Sequence, residues 1–364
     1  MTAASRKRLL VIQPMVGIGD MVWHKPWLDA MLARYDVTLM AKPSAQAGAV
    51  MGEYPDLKII PLYRSERGQK GRHDGFLGLF RMAAAIRATQ AEEVWILHRS
   101  WRYGLAALIA GIPLRSGYGL GKQRYFLNGN QGLPKALKGA HPRVAVTHFC
   151  AEKGITPEDD HPQIKVADDE VRAARSLLPD HRSSDHRPPD HCFLVICGVG
   201  AADVERQWNP KRFAGLIDRL SQTHPDVRVA LCGSPAEKLI GEAVLAALSS
   251  GTTPPMMVFD QTVRQVIALH RCADLYIGND TSLINIAAAV GTPAIRIFAS
   301  SLPVLDSPLI ETFYPDDPAR MDIAGSIDDI DDQVVAERAR AKLNAMKAKP
   351  ALSINTALWI SPRR

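Results

Sequence analysis

Residues 9–20, LLVIQPMVGIGD, contain the pattern that decides the fold of this chain. Leu9–Ile12 is a short run of large apolar residues, and Val16–Gly19 is a turn that contains two glycines. Asp20 then begins a stretch with helical periodicity that extends to about Arg34. This order predicts a buried strand, a turn and a helix, which together form the repeating unit of a parallel sheet.

The same alternation of short apolar runs and helical stretches recurs in both halves of the chain. The first half has further predicted strands at Val37–Met40, Lys58–Pro61 and Val94–His98, with a helix at Gly78–Thr89. In the second half the predicted strands are Phe193–Cys197, Val227–Leu231, Met256–Phe259, Leu275–Ile277 and Ala294–Phe298. The predicted helices there are Lys211–Thr223, Pro235–Ser249, Thr262–His270, Ser282–Val290 and Val334–Lys347. The pattern predicts an α/β protein whose parallel sheets are covered on both faces.

A polar segment without periodicity separates the two halves. Pro179–Asp190, PDHRSSDHRPPD, is rich in proline and charge and has the composition of an interdomain linker. We therefore predict an N-terminal Rossmann-like domain at 1–178, a linker at 179–191, a C-terminal Rossmann-like domain at 192–345, and a tail at 346–364 that could pack back on the first domain. Two such domains predict a cleft, with ligands at the carboxyl ends of the strands.

Composition and charge limit the classes of function. The chain has 364 residues, 46% of them hydrophobic, and its 44 basic and 38 acidic side chains give a net charge of +6. No apolar run approaches the ~20 residues that span a bilayer, and Leu9–Ile12 is too short for a signal peptide, so we expect a cytoplasmic protein. The mild positive charge suits anionic small molecules or an anionic membrane face, and no nucleic-acid-binding signature is present.

The five cysteines include no C-x-x-C pair and are predicted to be reduced, buried thiols. Two groups of potential metal ligands also occur. His181, His186, His191 and Cys192 lie in or beside the linker and match no familiar zinc spacing. The acidic cluster at 328–332 precedes a predicted helix, where carboxylates stabilise the first turn. We predict that the chain has no metal site and no cofactor.

The turn at residues 17–20, GIGD, resembles a phosphate-binding loop only in part. A dinucleotide-binding G-x-G-x-x-G would need glycine at Val22, and the chain has no G-K-[ST] of a P-loop. What distinguishes the turn is Asp20 at the start of the following helix, where the helix dipole favours a charged carboxylate. Asp20 is therefore either a general base or an ordinary helix cap.

Two later turns have the composition of anion sites. Residues 277–282, IGNDTS, lie between a predicted strand and a small-residue helix, so the N–H groups of Thr281 and Ser282 could bind a diphosphate or simply belong to a capped helix. Gly198–Ala202 with Arg206 and Lys211 could bind phosphate or be charged surface. Glu237 follows a predicted strand, where it could accept hydrogen bonds from a ribose or be an ordinary first-turn glutamate.

Together these pieces resemble the bacterial lipopolysaccharide heptosyltransferases, glycosyltransferase family nine. That family has G-x-G-D with a proline six residues on, here Gly17–Asp20 with Pro26. It has D-[ST]-[GA]-x-x-H-x-x-A followed by G-x-P, here Asp280–Ala288 and then Gly291–Pro293. The family's glycine turn leading to K-x-W-P corresponds to Gly198–Pro210, and the strand ending in histidine with following basic and small residues corresponds to 98–100, HRS. The resemblance extends over residues 9–298.

The resemblance implies a GT-B architecture and an inverting, metal-independent sugar transfer from a nucleotide sugar, with ADP-heptose as the expected donor. It implies that Asp20 is the base and that Arg206 faces the leaving diphosphate. The expected donor-binding residues are Gly200, Lys211, Glu237, Asp280, Thr281, Ser282 and Asn285. Three positions depart from the family pattern: Asn285 replaces a histidine, Ser282 replaces a glycine, and Lys25 replaces a small hydroxyl residue before Pro26.

The acceptor is expected to bind the first domain. Residues 63–74, YRSERGQKGRHD, form a polar and basic loop that could be solvated surface or could contact an acceptor rich in carboxylates and phosphates. Trp23 and Trp27 could contact sugar or lipid, or pack in the core. The expected acceptor-binding residues are Gly19, Arg64, Arg67, Lys70, Arg72, His98, Arg99 and Arg102.

The sequence therefore predicts a heptosyltransferase-like enzyme. It would transfer sugar to a lipopolysaccharide-type or related anionic glycolipid, with peripheral contact at the cytoplasmic face of the inner membrane. The alternatives are a catalytically weak relative that only binds a nucleotide sugar, or a transferase that uses a different nucleotide sugar. A nicotinamide-dependent oxidoreductase is disfavoured by the broken fingerprint at Val22.

Overall fold

A computed structural model describes residues 6–66, 68–129, 132–178, 192–298, 307–315 and 326–348. The predicted linker at 179–191, Arg67, and the part of the predicted tail after residue 348 lie outside these described residues. The predicted α/β fold is confirmed: two parallel sheets, each with helices on both faces, account for nearly all of the described elements.

The first sheet has five strands in the order β3-β2-β1-β4-β5, all parallel. Its strands are β1 (Arg8–Gln13), β2 (Asp36–Ala41), β3 (Lys58–Pro61), β4 (Glu93–Ile96) and β5 (Leu114–Gly117). The helices of this half are α1 (Ile18–Leu32), α2 (Ala47–Val50), α3 (Gly75–Ala88), α4 (Trp101–Ile109) and α5 (Pro142–Glu152). The central strand β1 is buried from its second residue onward, as expected for a strand covered on both faces.

The second sheet has six parallel strands in the order β11-β10-β9-β6-β7-β8. Its strands are β6 (Leu194–Gly198), β7 (Arg228–Cys232), β8 (Met256–Val258), β9 (Leu275–Asn279), β10 (Ala294–Ile297) and β11 (Ile310–Phe313). The remaining helices are α6 (Asp168–Ser176), α7 (Pro210–Thr223), α8 (Lys238–Ala246), α9 (Val263–Cys272), α10 (Ser282–Ala289) and α11 (Asp332–Ala348).

Several elements differ from the sequence prediction. The helices α4, α5 and α6 and the strands β5 and β11 were not predicted, because each is short or lacks a clear apolar period. The predicted strand Val94–His98 ends at Ile96, so His98 lies in the loop that follows β4. The predicted helix Pro235–Ser249 begins as a 3₁₀ turn, Pro235–Glu237, before α8, where Glu237 accepts a hydrogen bond from the backbone N–H of Ser234.

The two halves share packing. One apolar cluster joins Trp27 and Phe149 of the first half to Ile267 and Ile286 of α9 and α10. Helix α6 precedes the predicted linker, but it packs against α9, and its Ala174 belongs to the apolar cluster under the second sheet. The division of the chain at residue 178 therefore remains a prediction.

A single arginine ties the halves together as well. Arg264 of α9 donates two hydrogen bonds of 2.6 Å to the carboxylate of Glu170 and one of 3.2 Å to the carbonyl of Ala49. The paired Arg–carboxylate bonds fix orientation as well as distance. Because Glu170 and Ala49 lie on different helices, α6 and α2, this contact helps to set the geometry of the boundary between the halves.

All five cysteines are free in the structure, and Cys150, Cys197 and Cys232 are buried. Burial raises the pKa of each of these three thiols, which keeps them protonated and inert at neutral pH. The prediction of reduced, buried thiols is therefore confirmed for these three, whereas Cys192 and Cys272 are free but only partly buried. Within the described residues, no helix is both long and apolar enough to cross a membrane.

Candidate active site

Each sheet has one place where the order of its strands reverses along the chain. In the first sheet it lies between β1 and β4, and in the second between β6 and β9. At such a point the two connecting helices leave to opposite faces of the sheet and open a crevice, which is the usual ligand site of this architecture. The loops at these two points contain Gly17–Asp20 and His98–Ser100 in the first half, and Val199–Ala202 and Asp280–Thr281 in the second.

Asp20 lies in the first turn of α1 and is partly exposed. Its carboxylate Oδ2 accepts a hydrogen bond of 3.2 Å from the backbone N–H of Gly17, which lies just before the helix. Asp20 is thus not the N-cap residue itself but the third helical residue, bonded back to the cap position. The bond uses one carboxylate oxygen, and the position at the helix start favours a negative charge there.

The start of α1 meets the start of α10. A Cβ atom placed on Gly19 would lie 3.0 Å from Nδ2 of Asn285 and 3.8 Å from the Cα of Ser282. Glycine at position 19 therefore allows the two helix starts to approach more closely than any other residue would. Because Asp20 is the next residue, the predicted base and the predicted diphosphate seat lie at the same boundary between the halves.

The start of α10 contains two hydroxyls and an adjacent carboxylate. Thr281 is the N-cap residue, and its Oγ1 accepts a hydrogen bond of 3.4 Å from the N–H of Leu283. Thr281 and Ser282 are both partly exposed, so the first turn of the helix is open to a ligand. N–H groups at a helix start, with the helix dipole, favour an anion such as a diphosphate.

Asp280 is held between two arginines. Nη2 of Arg206 lies 2.7 Å from its carboxylate and 3.1 Å from its carbonyl, and Nη1 of Arg296 lies 3.4 Å from the other carboxylate oxygen. Arg296 is buried on β10, whereas Arg206 is partly exposed. Asp280 therefore acts as an anchor that holds the guanidinium of Arg206 beside the start of α10.

Asn279, the last residue of β9, was not singled out from the sequence. It is fully buried, and its Oδ1 accepts from the N–H of Trp208 at 3.0 Å. Its Nδ2 donates to the carbonyls of Val199 and Gly200 at 3.0 and 3.1 Å. One side chain thus fixes the loop after β6, the segment after Arg206 and the loop after β9 relative to each other. The only signal in the sequence was its place directly before the D-T-S motif.

Glu237 lies against the glycine turn that follows β6. A Cβ atom on Gly200 would overlap the carboxylate of Glu237, so only glycine fits at position 200 without moving that side chain. Oε2 of Glu237 accepts from the N–H and Oγ of Ser234 at 2.6 and 2.9 Å. The structure therefore brings Gly200 and Glu237 together, at the carboxyl ends of β6 and β7.

Lys211 differs from the other donor-side candidates. Its backbone N–H donates to Oδ1 of Asn209, the N-cap of α7, and its side chain is exposed. The neighbouring Arg212 instead donates to carboxylates of the 328–332 cluster, at 3.0 Å to Asp332 and 3.3 Å to Asp331. These contacts confirm a structural role for that acidic cluster.

The acceptor-side candidates gather at the carboxyl ends of β2, β3 and β4. Arg64 donates to Asp74 at 3.1 Å, and its guanidinium lies 5.5 Å from the ring centre of Tyr103. Lys42 follows β2, was not singled out, and is buried with its ammonium donating to the carbonyl of Ser65 at 2.9 Å. Burial lowers the pKa of Lys42, with a smaller contribution from the charge of Arg64. Lys42 and Arg64, together with the neighbouring His98, form a group that we call the basic cluster.

His98 is the neutral member of this cluster. Burial lowers its pKa to about 4, and the charges of Arg99, Arg64 and Lys42 act in the same direction. Its Nδ1 accepts a hydrogen bond of 2.9 Å from the N–H of Ser100, so Nε2 carries the proton. At neutral pH His98 can donate a hydrogen bond to a ligand but adds no charge.

The other basic candidates surround this cluster. Lys70 and Arg99 are exposed, and the guanidinium of Arg72 lies 4.4 Å from the ring centre of Tyr63. Arg102 donates to the carbonyl of Gly75 at 2.6 Å, which joins the starts of α3 and α4. Arg67 lies outside the described residues.

Lys25 is structural. It is 1% exposed, and its ammonium lies 2.9 Å from Asp29 and 2.6 Å from Glu53. It also lies 5.3 Å from the ring centre of Tyr54. The charge of Lys25, at the position before Pro26 where the chain departs from the family pattern, is therefore paired with two partly buried carboxylates. Trp27 of the same helix is buried in the core, as one of the two interpretations had it.

His24 lies beneath Asp20 and was also missed. It is fully buried, and burial lowers its pKa. Its Nδ1 lies 2.7 Å from the carbonyl of Asp20, so the neutral imidazole supports the first turn of α1. Gln13, at the end of β1, is buried beside it. Buried polar residues beneath a turn of this kind have no periodic signature in a sequence.

One group of side chains in the described part of the chain has the spacing of a metal site: Asp159, Asp160 and His161. Asp159 bonds to the ring of His161 at 2.8 Å, and Asp160 forms an ion pair of 2.7 Å with Arg143. These contacts satisfy the charges within the protein. The group lies in the segment between α5 and α6.

The structure has two parallel sheets, with the helix that follows the central strand of the first meeting α10 of the second, which is the GT-B architecture. The chain belongs to glycosyltransferase family 9: the family model described as "Glycosyltransferase family 9 (heptosyltransferase)" matches residues 79–312. The predicted family, fold and enzyme class are thereby confirmed.

Relatives agree with this assignment. The chain is 24% identical over 321 residues to lipopolysaccharide heptosyltransferase 2 of Salmonella typhimurium. The alignment covers 83% of this chain and 85% of that protein. The fold is similar to that of a family 9 glycosyl transferase from Veillonella parvula, with a TM-score of 0.74, 19% identity, and coverage of 94% of this chain and 99% of the other. It is also similar to that of Escherichia coli ADP-heptose LPS heptosyltransferase II, with a TM-score of 0.71, 22% identity, and coverage of 94% and 100%.

Proposed function

We propose that this protein is an inverting, metal-independent glycosyltransferase that moves heptose from ADP-heptose to a lipopolysaccharide core or related glycan. The observation that carries the proposal is the approach of Gly19, the residue next to Asp20, to Asn285 and Ser282 at the start of α10. A carboxylate and an anion seat at one boundary are what a single displacement requires. The similarity to heptosyltransferases supports the choice of sugar and acceptor.

In the proposed mechanism the carboxylate of Asp20 removes the proton from the acceptor hydroxyl. The acceptor oxygen then bonds to the anomeric carbon as the bond from that carbon to the diphosphate breaks, and ADP leaves with the electron pair. Because the nucleophile attacks from the face opposite the leaving group, the configuration inverts. Only the protein's own groups are used, and no metal is needed to balance the step.

The leaving diphosphate would be stabilised by Arg206 and by the N–H and hydroxyl groups of Thr281 and Ser282. Asp280 would hold Arg206 in place, and Asn285 would donate its amide to the phosphates or the sugar. Gly200 would allow the nucleotide to approach the backbone, and Glu237 would accept from the ribose. Lys211, on an exposed helix start, would add positive charge at the edge of the donor site.

The acceptor would bind the first half. Its carboxylates and phosphates would contact the basic cluster and the surrounding candidates, which are Gly19, Arg64, Arg67, Lys70, Arg72, His98, Arg99 and Arg102. Bidentate arginine contacts suit such anions. We propose that the enzyme acts at the cytoplasmic face of the inner membrane, in peripheral contact with it, and that nucleic acid is not a partner.

A transfer assay with a chelator tests this proposal. The protein is incubated with ADP-heptose and a delipidated, heptose-free core oligosaccharide in excess EDTA, and the product is analysed by mass spectrometry and NMR. We expect one heptose to be added in the configuration opposite to that of the donor. Loss of transfer in EDTA, with recovery on adding Mg²⁺, would reject metal independence, and retention of configuration would reject the single displacement.

A second candidate function follows from the positions at which this chain departs from the family motif. Asn285 and Ser282 stand where the family pattern has histidine and glycine, so the chain could bind a nucleotide sugar without transferring it, or could use a different one. A thermal-shift screen of ADP, UDP and GDP sugars separates these cases, because a ligand stabilises the fold in proportion to its affinity. Stabilisation by ADP-heptose without turnover would favour the binding protein, and stronger stabilisation by another sugar would identify another donor.

A further inference from the structure

The outer face of α3 exposes large apolar side chains at its start. Phe76 is 76% exposed, Leu77 67% and Phe80 46%, and the rings of Phe76 and Phe80 are 5.1 Å apart. Single exposed apolar residues are common, but three on one helix turn form a patch that water solvates poorly. Buried residues such as Leu79 and Met82 already cover the sheet from the opposite face of α3, so this patch adds nothing to the core.

The patch continues onto the neighbouring elements. Arg102 at the start of α4 donates to the carbonyl of Gly75 at 2.6 Å, which holds the starts of α3 and α4 side by side. Trp101 is partly exposed, with its ring 6.1 Å from that of Phe126, and Tyr125 beside it is 69% exposed. We call Phe76, Leu77, Phe80, Trp101 and Tyr125 the α3–α4 surface. Aromatic residues of this kind are typical of surfaces at the boundary between lipid and water.

Basic side chains surround the α3–α4 surface. Exposed basic residues on or beside α3, α4 and the 3₁₀ turn at 121–126 include Arg81, Arg99, Lys122 and Arg124, and the acidic residues of 75–126 are Glu92 and Glu93. These two glutamates lie at the amino end of β4, on the opposite edge of the sheet, where they form ion pairs with Arg8 and Lys7. The exposed Lys122 and Arg124 lie on the 3₁₀ turn that carries Tyr125. The surface is therefore both apolar and positively charged.

We propose that the α3–α4 surface docks on an anionic lipid bilayer, with its aromatic side chains in the headgroup region and its basic side chains against lipid phosphates. Apolar insertion and attraction to anionic headgroups are additive contributions to such binding. The charge argues against a second copy of this chain as the occupant, because a two-fold contact would place the same basic residues against one another.

The α3–α4 surface lies next to the proposed acceptor site. Helix α4 begins immediately after His98–Ser100, and α3 begins immediately after the basic loop 63–74, so the surface borders the basic cluster. This part of the argument rests on the proposed function: a glycolipid acceptor held in the bilayer would present its sugars directly to the first half. Docking would thereby replace a search in three dimensions by one along the membrane.

Vesicle flotation tests the docking directly. The probes are vesicles of equimolar phosphatidylglycerol and phosphatidylethanolamine, and neutral vesicles of phosphatidylcholine. We expect the wild type to float with the anionic vesicles only, and to dissociate as salt is raised. F76S/F80S removes the apolar contribution and K122E/R124E reverses two charges, so each should weaken binding by about tenfold or more.

Matched controls come from the second half of the chain. Leu239 on α8 is 75% exposed, so L239S removes one equally exposed apolar side chain from a different face and is matched to the single variant F76S. R271E/K347E changes the charge as much as K122E/R124E does, at two exposed positions on other helices. Both control variants should float like the wild type. Transfer to a delipidated acceptor should be unchanged in F76S/F80S, which also shows that this variant is folded.

Three results would overturn the docking proposal: no flotation of the wild type with anionic vesicles, flotation of both test variants at the wild-type level, or a wild-type dimer in light scattering that F76S/F80S dissociates without any change in flotation. A wild type that floats as expected but transfers no sugar would support the docking and reject the proposed function. The two proposals thus fail separately.

Discussion

The two crevices differ in how firmly their polar groups are held. At the second sheet, Asn279 is fully buried and makes three hydrogen bonds, and Asp280 is anchored by Arg206 and Arg296. At the first sheet, Arg64 is paired with Asp74 and Lys42 donates to the carbonyl of Ser65, but the outer residues Lys70 and Arg99 are exposed. A fixed crevice suits a ligand part that never changes, such as a nucleotide diphosphate. An exposed basic rim suits a branched anionic acceptor.

Asp20, at the boundary between the two crevices, should give the largest effect on rate. D20N keeps a side-chain oxygen that can accept from Gly17 but removes the charge, so kcat should fall about 10²–10⁴-fold, as expected for loss of a general base. The affinity for ADP should remain near the wild-type value. The matched control is D36N, an exposed carboxylate at the amino end of β2, and steady-state kinetics measure both variants. A D20N enzyme within a few-fold of wild type would remove Asp20 from the mechanism.

Replacing Asn279 should release the loops that form the crevice of the second sheet. N279A leaves two carbonyls and one N–H without their partner in a buried place, and should lower the free energy of unfolding by about 2–4 kcal/mol. Donor affinity should fall as well, because the loop at Gly200 is released. The control N209A removes one helix cap and should cost about 1 kcal/mol. Chemical denaturation and ADP titration measure the two effects, and equal losses in both variants would show that Asn279 is not the anchor.

Arg64 tests the crevice of the first sheet, where we expect the acceptor to bind. R64M removes a charge that is 20% exposed and paired with Asp74, and should raise the KM for the acceptor by about tenfold at low salt. The KM for the donor should not change. The control R34M removes an exposed guanidinium, which donates to the carbonyl of Gly154 at 2.6 Å. If R64M instead raised the KM for the donor, Arg64 would belong to the donor site and its assignment to the acceptor would be wrong.

The smallest effect is expected at His98. Because its pKa is lowered to about 4, it is neutral from pH 5.5 upward, and H98N should leave both the rate and its pH profile within a few-fold of wild type. Stability behaves differently: the unfolded histidine binds a proton near pH 6.5 and the folded one does not, so wild-type stability decreases as pH falls from about 6.5 to about 4. H98N should show a shallower decrease in denaturation midpoints. An altered activity profile near pH 6.5 would show that His98 titrates in the working enzyme.

Much of the fold could be predicted from local pattern. Leu9–Ile12 and Leu275–Ile277 are continuous apolar runs beside glycine turns, which indicates buried parallel strands. Helix α4 was missed because Trp101–Ile109 has few polar positions to define a face, and α6 because its apolar residues are sparse. Short elements of this kind are fixed by tertiary packing more than by their own sequence.

The sequence predicted the site residues that belong to a local motif. It did not predict the contacts that form only when distant segments come together in the fold. The D-T-S motif and the G-I-G-D turn pointed to Thr281 and Asp20. Asn279 acts through partners far away in the sequence, and the approach of Gly19 to Asn285 joins two separate halves, so no local pattern contains either contact. The structural role of Lys25 was also hidden in the sequence, because its ion-pair partner Glu53 lies on another segment.

The most direct test of the central claim is a crystal structure of the protein with ADP and a non-reactive heptose analogue. The account predicts that the diphosphate lies on the N–H groups at the start of α10, beside Arg206, with the anomeric carbon turned toward the carboxylate of Asp20. A diphosphate bound at any other helix start, or an Asp20 carboxylate that faces away from the sugar, would contradict it.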